Sequence, residues 1–108
     1  GSKDVFVNLV GGLKVDDPAL DLSIISSIAS STMNKPVDKE IVLCGEVGLA
    51  GEVRSINRIE HRLTEAQSLG FKMALIPSSS LKKSIQKLKL KIDLIPIRYV
   101  KEAFQILF

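Results

Sequence analysis

The sequence predicts a single α+β domain, in which short apolar strands alternate with amphipathic helices. The chain has 108 residues, enough for one hydrophobic core but not for two. Hydrophobic residues make up 45% of it and charged residues 25%, so it has the apolar surface that folding requires. Candidate elements follow in the order β-α-β-β-α-β-α-β-α without an internal repeat, which is typical of a sandwich-like α/β arrangement.

The first part of the chain is predicted to contain a strand, a long helix and a second strand. Alternating apolar residues at 5–10, closed by two glycines, predict the first strand. Acidic residues before a proline, followed by apolar residues at helical spacing, predict a largely buried helix over 17–33. The Asn-Lys-Pro sequence at 34–36 would end this helix, and the apolar run at 41–44 predicts an interior strand.

Three glycines then predict a tight turn. They are Gly45, Gly48 and Gly51. We expect a hairpin that joins the strand at 41–44 to a second strand around 52–56. A phosphate-binding loop is the alternative, but the glycines are not followed by Gly-Lys-Ser/Thr or directly by a helix, so the pattern favours a hairpin.

The second half is predicted to contain three helices and two strands. The helices cover residues 57–69 and 100–107, with a short basic helix between them that the serines at 78–80 cap and that runs to about Lys87. The strands cover residues 73–76 and 92–97. Asn57 and Glu60 have the spacing of a capping box, and Gly70 has the position of a C-terminal cap. Pro96 favours either an edge position for the last strand or a place at the end of that strand. Phe104 is expected in the core, on the apolar face of the closing helix.

Cysteine and histidine are too scarce for a disulfide or a zinc site. Cys44 is the single cysteine and His61 the single histidine. A thiol–imidazole pair is conceivable, but a packed cysteine and a solvated histidine are the simpler interpretation. The acids Asp16, Asp17 and Asp21 are explained by a helix start, so we expect no metal site.

The first two residues and the cysteine usage suggest the origin of the chain. Gly1 and Ser2 resemble the remnant of a cleaved affinity tag, so residues 3–108 are expected to be one domain of a longer protein. Neither a membrane span nor a leader sequence is apparent, and a single cysteine is usual in the cytoplasm. We therefore expect a cytoplasmic protein that makes no contact with a membrane.

The charge of the chain is unevenly distributed. The net charge is +3, but residues 1–53 carry four basic and eight acidic side chains, whereas residues 54–108 carry eleven basic and four acidic ones. Residues 78–108 alone hold seven basic and two acidic side chains. A cationic half of this kind suits an anionic partner such as DNA, although a merely solubilising surface has the same composition.

Four stretches carry a resemblance to known families. Residues 42–54 (VLCGEVGLAGEVR) and 69–77 (LGFKMALIP) resemble the proteolytic domain of Lon proteases. Residues 4–15 (DVFVNLVGGLKV) and 57–60 (NRIE) further resemble the C-terminal domain of the bacterial RadA (Sms) family. The resemblance spans nearly the whole chain and implies a Lon-like fold of the ribosomal protein S5 domain 2 type.

The resemblance also shows where a protease would have its catalytic dyad. Lon proteases carry the serine in an Asp-Gly-Pro-Ser-Ala-Gly motif, which falls on residues 16–21 and places Ala19 at the nucleophile position. The catalytic lysine follows a Gly-Gly-Leu sequence, which falls on 57–59 and places Glu60 at the lysine position. An alanine cannot attack a carbonyl carbon, so the pattern argues against proteolysis.

Two classes of function therefore remain open. Similarity to RadA implies a non-catalytic scaffold that forms a hexameric ring and binds DNA without sequence preference, with DNA, further copies of itself and recombinase proteins as partners. It also implies a parent that drives branch migration, with an upstream zinc module and ATPase that hold Zn, ATP and Mg, and no cofactor in this domain. The alternative is a Lon-type peptidase domain with an unrecognised dyad, which digestion of fluorescent casein would reveal.

The DNA contacts are expected to be directed at phosphates. The chain has no tryptophan and one tyrosine, so base stacking is disfavoured. The candidate residues are basic side chains of the second half. They are Arg54, Arg58, Arg62, Lys82, Lys83, Lys87, Lys89 and Lys91. Arg58 and Arg62, four residues apart, are expected to share one face of their helix, and Lys14 is expected near the same region.

Overall fold

A computed structural model describes residues 17–108, so the strand predicted at 5–10 lies outside the described residues. The strands are β1 (Ile41–Leu43), β2 (Glu46–Val47), β3 (Val53–Arg54), β4 (Met73–Pro77) and β5 (Asp93–Ile97). The helices are α1 (Asp21–Met33), α2 (Ile59–Ser68), α3 (Lys83–Gln86) and α4 (Val100–Leu107). Short 3-10 turns at Pro18–Leu20 and Ser78–Ser80 precede α1 and α3. None of these helices is long and apolar enough to cross a bilayer.

The centre of the described fold is a three-stranded parallel sheet with the order β1-β4-β5. Strand β4 lies in the middle, and Ala74, Leu75 and Ile76 within it are fully buried. A continuous apolar run of this kind is expected for a strand that is covered on both faces. Strand β5 is at an edge among the described strands, which confirms one of the two positions expected from Pro96.

Helices cover the two faces of this sheet. Ala74 and Ile76 belong to the apolar cluster that contains Leu63 of α2 and Ile85 of α3. Leu75 belongs to the other cluster, with residues of α1 and α4. Because successive side chains of a strand point to opposite faces, α1 and α2 lie on opposite sides of the sheet. The mixed helix and sheet content is compatible with the predicted α+β class.

Helix α1 is less deeply buried than its apolar spacing predicts. Leu22 and Ser26 are its fully buried residues, whereas Ile28 is 42% exposed. The helix ends as predicted, because Asn34 adopts the left-handed conformation with φ 54°.

The glycine-rich hairpin differs from its prediction in the pairing of its strands. Strand β3 pairs with β2 and not with the strand at 41–44, because the chain leaves the parallel sheet after Leu43. Gly45 lies at this departure point, where a Cβ atom would be 2.6 Å from Cγ1 of Val53. Only glycine permits so close an approach.

The start of α2 is also different from the prediction. Arg58 occupies the N-cap position with a left-handed backbone (φ 59°), and the helix has no side-chain cap. The predicted Asn57–Glu60 capping box is therefore wrong: Glu60 instead accepts a hydrogen bond from the Ser84 hydroxyl, at 3.2 Å. At the other end, Gly70 follows the C-cap with φ 96°, as predicted.

Two predictions for the last third need correction. The short helix predicted to run to about Lys87 is the four-residue α3, and the serines at 78–80 form a 3-10 turn instead of its cap. Phe104 is only half-buried and packs edge-to-face on Phe108, with ring centroids 5.6 Å apart, whereas Ala103 occupies the core position. A small residue fits here because α4 packs closely against the apolar cluster that contains Leu75.

Candidate nucleic-acid interface

The predicted basic residues fall into two regions of different structure. The first region is a cleft of about 190 Å³ that we call the Ala19 cleft. It is lined by Asp17, Pro18, Ala19, Glu46, Ser55, Ile56, Asn57 and Arg62. The helix α2 side chain that lines this cleft with Ala19 is thus Arg62, whereas Glu60 lines a neighbouring cleft.

Arg62 is held in the Ala19 cleft by an ion pair. Its Nη2 atom lies 3.1 Å from Oδ2 of Asp17, and its Nε donates to the Asn57 carbonyl at 3.3 Å. The other Asp17 oxygen accepts the backbone N–H of Ala19 at 3.0 Å. That backbone hydrogen bond, followed by the nearby Arg62 guanidinium, lowers the pKa of Asp17. Arg62 thereby ties α2 to the turn that precedes α1.

Arg54 is paired within the hairpin. Its guanidinium lies 2.9 Å from Glu52 and 3.6 Å from Glu46, which is directly opposite on β2. The hydrogen bond from Arg54 is the main reason that the pKa of Glu52 is lowered. Two carboxylates thus surround this cation, and the pairing stabilises the hairpin.

The second region is the lysine segment, which comprises Lys82, Lys83, Lys87, Lys89 and Lys91. All five side chains are exposed. Within residues 17–108, no carboxylate lies at ion-pair distance from any of these ammonium groups. Beneath them, Ile85 and Ile92 are buried in the cluster that α2 forms with the sheet. The segment is therefore an ordered surface with uncompensated positive charge.

Arg58 lies beside the lysine segment and away from Arg62. With Lys82, it lines a cleft of about 190 Å³ whose other walls include Glu60 and Ser80. Although Arg58 and Arg62 are four residues apart, their side chains line different clefts. Lys14, the further candidate, lies outside the described residues.

Two polar residues that the sequence analysis did not single out position the lysine segment. Oε1 of Gln67 on α2 accepts the backbone N–H of Lys91, at 2.5 Å, and that of Ile92, at 3.2 Å. Ser84 on α3 donates to Glu60. The one sequence signal for Gln67 is its place four residues after Leu63, which puts it beside Ala66 at the border of the apolar stripe of α2.

The thiol and the imidazole do not form a pair. Cys44 is buried, and desolvation raises the pKa of its thiol. The His61 side chain is exposed on α2, 3.7 Å from Glu65. The packed cysteine and solvated histidine are thus confirmed. Asp21 has a structural role, since its carboxylate accepts the backbone N–H of Val47 at 3.1 Å. Residues 17–108 contain no cluster of three or more His, Cys, Asp or Glu side chains able to hold a metal ion.

Comparison with known proteins identifies the family. Residues 1–80 match the family model described as "Subunit ChlI of Mg-chelatase", and the chain therefore belongs to the ChlI family. Its curated relatives include the DNA repair protein RadA of Aquifex aeolicus, which is 42% identical over 98% of this chain, and that of Chlamydia muridarum, which is 37% identical over 98%. RadA of Bacillus subtilis is 48% identical over 74% of the chain.

These matches confirm the similarity to the C-terminal domain of RadA. The chain spans 23% of the Aquifex aeolicus and Chlamydia muridarum proteins and 18% of the Bacillus subtilis protein, and the match falls in their C-terminal part. What the longer proteins do therefore reaches this chain only as a proposal.

Proposed function

We propose that the chain is a non-catalytic domain of a RadA-type DNA repair protein, which holds DNA through phosphate contacts and supports assembly of the parent into a hexameric ring. The names of its relatives support a role in DNA repair. The observation that carries the DNA contact is the lysine segment, where five exposed ammonium groups have no carboxylate partner within the described residues. The parent would drive branch migration, with ATP, Mg and Zn bound outside this domain.

The pairing state separates the eight predicted residues into two groups. A cation that already has a carboxylate partner must give up that partner, or share it, to bind a phosphate. We therefore assign the DNA contact to the lysine segment and Arg58. Arg54 and Arg62 are assigned a structural role, because Arg54 bridges two glutamates and Arg62 pairs with Asp17.

The domain is also proposed to lack peptidase activity. Ala19 provides no nucleophile at the position that corresponds to the Lon serine, and the α2 side chain beside it is a guanidinium. A guanidinium stays protonated, so Arg62 cannot act as the general base that a serine–lysine dyad requires. Assignment to the Lon-like fold is part of this proposal, and it is supported by the helix-covered parallel sheet and the adjoining hairpin.

The test is fluorescence anisotropy with a double-stranded oligonucleotide over a salt series. Lys82→Ala/Lys83→Ala/Lys87→Ala is expected to weaken binding at least about tenfold and to reduce the slope of log affinity against log salt by about three, since each lost phosphate contact contributes about 0.9. Three exposed lysines elsewhere provide a matched control with the same change in charge, Lys35→Ala/Lys39→Ala/Lys72→Ala.

The control triple and Arg54→Gln/Arg62→Gln are both expected to change the affinity less than about twofold. An equal loss in the two lysine triples would mean that only net charge matters. In that case, or if neither triple changed the affinity, the proposed interface would be wrong.

A further inference from the structure

The tip of the hairpin presents an apolar side chain to solvent. Leu49 is fully exposed. The tip has a defined shape, because Gly48 N–H donates to the Glu52 carbonyl at 2.9 Å and Gly51 N–H donates to the Gly48 carbonyl at 3.0 Å. The Glu52 side chain fixes it further by accepting the Ala50 N–H at 3.0 Å. Leu49 is thus held outward by an ordered turn.

An apolar groove of matching character is open elsewhere on the surface. It has a volume of about 200 Å³ and lies between β1, α2 and the turn before α1. Val42, Ala66 and Phe71 contribute apolar walls, and Leu69, which is 72% exposed, also lines it. Arg62 and Glu65 are its charged lining residues. An apolar cavity of about 150 Å³ can hold a benzene molecule, so this groove can hold one leucine side chain.

The groove and the hairpin tip lie toward opposite edges of the parallel sheet. The groove includes residues of β1, which is one edge of the described sheet. The tip is bonded to residues that follow β5, the other edge: Val100 N–H donates to the Gly51 carbonyl at 2.9 Å. A projection at one edge and a groove at the other are the components of a head-to-tail contact between copies.

We propose that Leu49 of one copy inserts into the apolar groove of the next copy, so that the hairpin tip and the groove form the subunit contact. This inference rests on the self-assembly included in the proposed function and names the surfaces that carry it. The tip residues 48–51 are uncharged, which suits an apolar groove. Glu46 and Glu52 at the base of the tip disfavour insertion into DNA, since they would meet the phosphates.

Disulfide trapping tests the contact directly. In a Cys44→Ser background, chains with Leu49→Cys and chains with Leu69→Cys, distinguished by tags of different size, are mixed at high concentration and oxidised. The mixed disulfide is expected to exceed at least fivefold that formed between Leu49→Cys and Gln105→Cys, an exposed position on α4. No excess over this control would overturn the inference. Circular dichroism verifies that each variant is folded.

A second measurement needs no change in the core. Leu49→Lys alters a fully exposed side chain and is expected to weaken self-association at least tenfold in sedimentation, whereas Leu49→Met retains it. Leu69→Glu combined with Leu49→Lys is expected to restore part of the loss.

The outcomes separate this inference from the proposed function. If Leu49→Lys assembles as the unmodified chain does, the subunit contact lies elsewhere and only this inference fails. If Leu49→Lys loses DNA affinity but not self-association, the tip contacts DNA, and the inference is again overturned. A chain that neither associates nor cross-links would contradict both the inference and the proposed assembly.

Discussion

The Ala19 cleft with its adjoining hairpin and the lysine segment both contain predicted DNA-binding residues, but the two regions use positive charge differently. In the cleft, Arg62 bridges to Asp17, and in the adjoining hairpin Arg54 bridges to two glutamates. In the lysine segment, buried isoleucines and Gln67 hold the chain, and the ammonium groups have no partner among residues 17–108. In the lysine segment, the backbone is therefore held by interactions that leave the ammonium groups available for a phosphate.

The comparison requires first that the lysine segment is held against the rest of the fold by its buried apolar side chains. Ile85→Ala is expected to lower the free energy of unfolding by about 2–4 kcal/mol, because it leaves a cavity at a residue that is only 2% exposed. Leu88→Ala, at a residue 40% exposed in the same segment, is the matched control and should cost less than about 1 kcal/mol. Urea denaturation measures both variants. Equal losses would mean that the segment is not attached through Ile85.

The second prediction concerns the hydrogen bonds between Gln67 and the backbone of the lysine segment, and its expected effect is smaller. Gln67→Ala is expected to lower the free energy of unfolding by about 1–2 kcal/mol, since two backbone N–H groups lose their acceptor. Hydrogen exchange of the Lys91 and Ile92 amides should become faster in the folded protein. Gln105→Ala, at an exposed position of α4, is the control and should change neither quantity. Unchanged exchange in Gln67→Ala would contradict the proposed attachment.

Sequence patterns were sufficient for features that depend on local chemistry. The apolar run of β4, the edge position indicated by Pro96 and the glycine after α2 are each explained by neighbouring residues. The left-handed Arg58 was not predictable in this way, because an arginine gives no indication of a positive φ. Its conformation moves the start of α2 and leaves Glu60 free to bind Ser84.

The basic composition of the candidate interface was predictable from the sequence, but the ion pairs of its residues were not. The density of lysines along residues 82–91 is visible in the chain itself. The Asp17–Arg62 pair joins residues 45 positions apart, and no local pattern indicates such a contact. The separation of free from paired cations therefore requires the fold, as does the assignment of Arg62, in place of Glu60, to the cleft that contains Ala19.

The smallest expected effect is the pH-dependent contribution of the Asp17–Arg62 ion pair to the stability of the fold. The pKa of Asp17 is lowered in the folded chain by the Ala19 N–H and by Arg62, so its charge stabilises the fold above the unfolded pKa of 3.8. This contribution is lost as the pH falls through the folded value, where Asp17 becomes protonated. Asp17→Asn removes the charge and keeps an acceptor for the Ala19 N–H.

At pH 7, Asp17→Asn should be less stable than the unmodified chain by no more than about 0.5–1 kcal/mol, since both members of the ion pair are partly exposed and screened by solvent. The difference should disappear in acid, below the range in which Asp17 titrates. Urea denaturation at the two pH values measures it, with Asp93→Asn, an exposed residue without an ion pair in residues 17–108, as the control. A difference that persists in acid would show that the charge of Asp17 does not hold Arg62. The arginine would then be as available to DNA as the lysines, and the distinction between the two regions would be lost.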